Sequence, residues 1–128
     1  MAANGGLAKE RIAGIDASFV AGIFRTVRFG TAEAHGRAEM MEFNYFVEKG
    51  ALAKQGGRYA IDAPKFAAAL TTLAKELLEI EATGDRARAE AWFAKYGTMP
   101  ADLKAALDAA KDIPVDIDPQ QPYPELAP

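Results

Sequence analysis

His35 is the only histidine in a chain of 128 residues that has no cysteine. On a helix it shares a face with Glu39 at i+4 and Glu42 at i+7. A carboxylate one turn away can orient an imidazole and raise its pKa, which is what a general acid–base site requires. One histidine and two glutamates are also a minimal set of metal donors, and a surface histidine beside a glutamate can equally be a solvated pair. A second group, Arg25, Arg28 and Arg37, surrounds Gly30-Thr31. Such a basic cluster at a helix N-terminus can hold a carboxylate or phosphate, or its members can pair with Glu33 and Glu39. Other chemistries are excluded by residue type. Ser18 is the only serine and sits mid-helix with no histidine nearby in sequence. Gly56-Gly57 lacks the Lys-Ser/Thr that a phosphate-binding loop requires.

Composition narrows the rest. Half of the residues are hydrophobic and 26% are charged, so the chain can form a core and is one domain by length. A net charge of −3 argues against nucleic acid as a partner, because phosphate recognition needs a basic face. Without cysteine there is no disulfide framework, thiol catalysis or thiolate metal site, and the compartment stays open. A single histidine cannot supply a His-Glu-x-x-His zinc helix, so no metal is expected in this chain alone. Asp16 interrupts the most apolar stretch, Ile12 to Phe24, which falls short of the ~20 residues of a membrane span. The N-terminus has no basic and apolar signal pattern.

The elements that must position these residues read as helices with clear punctuation. The first runs from about Leu7 to Phe29, and its apolar residues cover more than one face, which predicts a central helix stopped by Gly30. Thr31 is the expected N-cap of a second helix, with Glu33 in its first turn, running to about Lys49 before Gly50. Short segments on either side of Gln55-Gly56-Gly57 predict a β-hairpin. Asp62 and Pro64 start a third helix, where Phe66, Leu70, Leu73, Leu77 and Ile80 form an apolar seam expected to be core. Asp85 caps a fourth helix with Ala89, Trp92, Phe93 and Tyr96 on one face, and Pro100 opens a fifth around Leu103 and Leu107. Met99 and Trp92 read as packing. Five of the seven prolines lie between Pro114 and Pro128, so the chain there is extended, with Ile113 to Asp118 alternating like an edge strand. The expected architecture is mainly α: a five-helix domain over 1–112 with one short hairpin, followed by an extended Pro-rich tail over 113–128.

Several stretches together resemble the C-terminal part of the dipeptidyl peptidase III family of zinc metallopeptidases, and its bacterial and plant-type branch in particular. They are Ala34-His35-Gly36-Arg37, Phe43-Asn44-Tyr45-Phe46-Val47-Glu48-Lys49-Gly50, Arg58-Tyr59-Ala60-Ile61-Asp62, Leu78-Glu79-Ile80-Glu81-Ala82-Thr83-Gly84-Asp85 and Lys95-Tyr96-Gly97. The similarity spans roughly residues 15 to 118. It implies a parent enzyme that removes dipeptides from peptide N-termini. Its zinc would be held by two histidines of a His-Glu-x-x-Gly-His helix and a glutamate of a later motif. None of those motifs occurs here. His35 matches a family histidine that reaches the zinc cleft and is thought to stabilise the transition state. Glu39 stands where the animal enzymes have an arginine, so no role is transferred to it.

The resemblance makes the chain a segment of a larger exopeptidase, incomplete for catalysis alone. Its expected partners are the zinc-binding lobe of the parent enzyme and a peptide substrate, with no nucleic acid and no membrane. Attack on a peptide carbonyl builds negative charge on oxygen, which a nearby imidazole N–H stabilises. Two alternatives stand beside this: a helical structural or interaction module without activity, and a free-standing metal hydrolase built on His35, Glu39 and Glu42.

Overall fold

The computed structural model describes residues 9–114. In order they form α1 (Lys9–Arg28), α2 (Ala34–Glu48), β1 (Leu52–Gln55), β2 (Arg58–Ile61), α3 (Ala63–Thr83), α4 (Arg86–Tyr96) and α5 (Ala101–Ala109). The mainly α architecture with one hairpin is the one expected. The edge strand expected over Ile113 to Asp118 and the rest of the Pro-rich tail fall largely on residues 115–128, outside the described residues. Among the described residues no helix is long and apolar enough to cross a membrane.

The helix ends follow from local chemistry. The stop after α2 is a Schellman motif: the Ala51 N–H bonds the Phe46 carbonyl at 2.9 Å, the Gly50 N–H bonds the Val47 carbonyl at 3.0 Å, and Gly50 takes φ +64°. The Asp62 carboxylate accepts from the Lys65 N–H at 3.2 Å and Asp85 accepts from the Arg88 N–H at 2.9 Å, so α3 and α4 both start on capping aspartates. Gly56 and Gly57 both have positive φ, as a two-residue type I′ turn requires, and Leu52 pairs with Ile61 at the other end of the hairpin. So short a hairpin needs a surface to pack on. Tyr59 supplies it, with its ring 5.2 Å from Phe24 and 5.4 Å from Phe43.

Three expectations are corrected. Thr31 does not cap α2; the helix begins at Ala34, with Glu33 at the N-cap position in an extended conformation and no side-chain cap bond. Arg37 donates to the carbonyls of Thr31 and Ala32, at 3.4 and 3.3 Å, which holds those residues in a bend ahead of the helix. The central helix is α2 and not α1, since α1, α3, α4 and β1 all pack on it. In α1 the buried residues are Val20, Ile23 and Val27, while Ile15 and Phe19 are exposed. Finally, the α3 seam is core only through Leu73, with Leu77 exposed, and Phe93 of α4 also lies open. The α2 residues that line the space beside Leu77 and Phe93 include the small Ala34 and Ala38, and the helices leave a groove there instead of interlocking.

The core is aromatic. Phe46 packs at a tilt on Phe66 at 4.8 Å and meets Phe19 edge-on at 6.2 Å, and Tyr45 packs on Tyr96 at 5.3 Å. Polar groups fasten its margins. Asn44 donates through Nδ2 to the carbonyls of Tyr96 and Thr98 at 2.7 and 2.8 Å, covering the end of α4. Glu48 accepts from Lys95 and from the Tyr96 hydroxyl, and its Lys95 bond holds the carboxyl below the usual range.

Candidate functional site

The turn that presents His35 is built by three residues around it. Gly30 ends α1 at φ +110°, a conformation that other residues avoid. Gly36, buried, sits directly against the Gly30 carbonyl, where any Cβ would collide with backbone atoms. Arg37 closes the turn through the Thr31 and Ala32 carbonyls. His35 itself lies in the first turn of α2 and is exposed. Its imidazole is therefore reachable from outside while its backbone is fixed on both sides. Replacing Gly36 by alanine should force α2 away from Gly30 and cost about 1–3 kcal/mol, measurable as a lowered urea midpoint. An unchanged midpoint would show that the turn is not packed as described.

His35, Glu39 and Glu42 do run along one stripe of α2, as their spacing implies, but their environments differ. Burial raises the Glu39 carboxyl above the usual range, opposed in part by the charge of His35. Glu42 is half-buried; burial, reinforced by the Glu39 charge, pushes it up to about 7. Among the described residues no three histidine, cysteine, aspartate or glutamate side chains are grouped to hold a metal ion. The stripe therefore lacks the convergence that the metal-hydrolase alternative needs. Nor do the arginines pair with Glu33 and Glu39: Arg37 takes backbone carbonyls, and Arg28 donates to the carbonyls of Ala110 (2.9 Å) and Ile113.

The state of Glu42 has a pH signature. Its folded carboxyl titrates near 7 and its unfolded one near 4.5, so the folded protein keeps a proton that the unfolded chain releases in between. The stability linked to this group is present at low pH and is lost as pH rises through about 7. Glu42→Gln should therefore stabilise the protein by about 1–2 kcal/mol at pH 8, allowing for solvent screening, and give no such gain at pH 4.5. Equal thermal shifts at both pH values would contradict this.

One feature of this region was missed in the sequence. Arg37, Met41, Glu42, Leu77, Trp92 and Phe93 line an open groove of about 350 Å³ between α2, α3 and α4. Its signal was there: alanines at 34 and 38 cannot fill the space opposite large residues on two other helices.

No protein-family model matches the chain. It is 38% identical over 125 residues to Nudix hydrolase 3 of Arabidopsis thaliana, a match covering 95% of this chain and 16% of that protein. Among solved structures it is similar to dipeptidyl-peptidase III from Corallococcus sp. strain EGB, with a TM-score of 0.81 and 36% identity over 91% of this chain and 22% of that one. It is also similar to DPP III from Caldithrix abyssi, with a TM-score of 0.79 and 35% identity over 83% of this chain and 21% of that one. The chain thus spans between 16% and 22% of the length of the proteins it matches. In fold, and with 35–36% identity over the matched residues, it is similar to a segment of dipeptidyl-peptidase III.

Proposed function

We propose that this chain is the C-terminal helical segment of a zinc-dependent, dipeptidyl peptidase III-like exopeptidase, and that His35 is its contribution to catalysis. The observation that carries the reading is the likeness to dipeptidyl-peptidase III along nearly the whole chain at 36% identity. The exposed position of His35 on a turn fixed by Gly30, Gly36 and Arg37 supports its role. In such an enzyme the imidazole N–H donates to the carbonyl oxygen of the scissile peptide as negative charge develops there, and the rigid turn avoids reorganisation at that moment. The residues of this chain do not fit a zinc site of their own: there is one histidine and no cysteine, and no acidic cluster among the described residues. The metal and its ligands belong to another part of the enzyme, and so does the activation of water.

A second reading, a helical structural module without catalysis, draws on a different observation. Several residues that carry the likeness are fasteners: Asn44 and Glu48 hold α4, Gly50 and Gly84 stop helices, and Asp62 and Asp85 cap them. A segment similar to parts of proteins of two different names, a Nudix hydrolase and a peptidase, suits a module of that kind.

The reading frame upstream of Met1 tests the first proposal. It should encode a His-Glu-x-x-Gly-His helix, and a closed frame or one without that motif would count against it. The isolated chain should bind zinc substoichiometrically and release no dipeptide from a peptide substrate. One tightly held zinc per chain in metal analysis would contradict this.

A further inference from the structure

Two surfaces of this chain are apolar, exposed and opposite in charge. The first is the start of α1. From Arg11 to Phe19 no residue is buried, and Arg11, Ile15, Ser18 and Phe19 share one face, with Ile15 56% and Phe19 41% exposed. Helical spacing sets Asp16 off that face, so its charge is the positive one of Arg11. The second surface is the groove between α2, α3 and α4, where Leu77 is 40% and Phe93 53% exposed beside Trp92. Glu42 is the last of the α2 residues along it. It is half-buried, and among the described residues no cation pairs with it. Arg37, the other charged residue of the lining, is turned to the carbonyls of Thr31 and Ala32. The α3 and α4 walls contribute no charged side chain.

We propose that the first turns of α1 dock in the α2–α3–α4 groove of a second copy of this chain, with Ile15 and Phe19 against Leu77 and Phe93, and Arg11 paired with Glu42. The lengths agree. Arg11 to Phe19 on α1 and Ala34 to Glu42 on α2 cover the same number of residues, a rise of about 12 Å in each case. Charge fixes the direction. With Arg11 at Glu42, α1 runs antiparallel to α2 and brings its uncharged end beside Arg37. The reverse direction sets Arg11 beside Arg37 and leaves Glu42 unpaired, which like-charge repulsion opposes. The small Ala34 and Ala38 leave room for the exposed edge of Phe19. An amphipathic helix laid in an apolar groove on anchors at i and i+4 is a recurrent docking mode. The occupant this groove requires, an exposed helix with a cation four residues before an apolar anchor, is the one the chain itself presents. Because the two surfaces differ, the contact is heterologous: each added copy leaves one of each free, and copies add head to tail. The contact is independent of any role of His35.

Sedimentation of the whole chain tests this, at concentrations of about 10 μM to 1 mM, where so small an interface is populated. The mean mass should rise with concentration and pass that of a dimer. Ile15→Asp and Phe93→Asp each remove one surface at an exposed position. Either variant alone should stay monomeric with its helical circular dichroism intact. Mixed in equal amounts, they should form a one-to-one dimer and nothing larger, since one working α1 and one working groove remain. Trp92 is the only tryptophan and lines the groove, so its emission should move to the blue as the mixture associates. Arg11→Glu should weaken association several-fold, and adding Glu42→Lys to the same chain should recover most of it. That charge swap decides the matter if an aspartate variant folds poorly. An unsubstituted chain that stays monomeric throughout would overturn the proposal, as would the two variants remaining monomeric when mixed. Association by either variant alone would mean a symmetric contact, α1 on α1 or groove on groove, and would overturn it too. So would association that leaves the Trp92 emission unchanged.

Discussion

Phe46→Ala should destabilise the protein by about 3–5 kcal/mol, the usual cost of removing a fully buried phenylalanine. Phe46 has no exposed surface, and its ring is the meeting point of three helices, with Phe19 of α1 at 6.2 Å, Phe66 of α3 at 4.8 Å and Tyr45 of α2 itself at 6.3 Å. Truncation removes the transfer energy of the ring. It also leaves a cavity that neighbouring aromatic rings, themselves fixed by other contacts, cannot close. Against a total stability of about 5–15 kcal/mol for a domain, the variant should unfold near ambient temperature or lose its cooperative transition. Phe46→Leu, which keeps most of the volume, should cost under about 1.5 kcal/mol. Both variants are read by urea denaturation followed by circular dichroism. A cost for Phe46→Ala below 1 kcal/mol would mean that the aromatic centre is not where the fold gains its stability.

That centre explains which parts of the fold were legible in the sequence. Stops and starts were clear where one residue performs one task. Gly50 and Gly84 reach positive φ, Asp62 and Asp85 accept from the backbone three residues on, and the Gly56-Gly57 pair turns a hairpin. Thr31 misled because its preference for a cap position competes with a distant side chain, Arg37, that takes its carbonyl. Helix periodicity gave the apolar side of α3 but not how much of it is covered. Coverage depends on what the facing helices offer, and beside Leu77 the α2 lining includes the small Ala34 and Ala38. The same limit applies to α1, whose apolar residues exceed what α2 can bury.

The candidate site divides in the same way. The shared stripe of His35, Glu39 and Glu42 follows from helical spacing alone. Their different burial, which leaves His35 exposed and pushes Glu42 up to about 7, depends on α3 and α4 and was invisible in the spacing. The role of Gly36 was equally hidden: its reason is the carbonyl of Gly30, which comes close only once α1 and α2 have packed.

The central claim, that this segment supplies a charge-stabilising histidine to a peptidase whose zinc is held elsewhere, is tested most directly by His35→Ala in the longer protein that contains it. Losing one donor to a developing oxyanion lowers turnover on the order of 10²–10³-fold. The Michaelis constant should change much less, because the interaction is made mainly in the transition state. Glu39→Gln, as a companion, should change turnover several-fold at most. Turnover on a dipeptidyl substrate and zinc content should be measured on the same His35→Ala preparation. The expected result is a loss of turnover of that size with zinc retained and the fold intact. Turnover near that of the unsubstituted enzyme would favour the structural-module reading, and loss of zinc would place His35 among the metal's ligands; either result would contradict the claim.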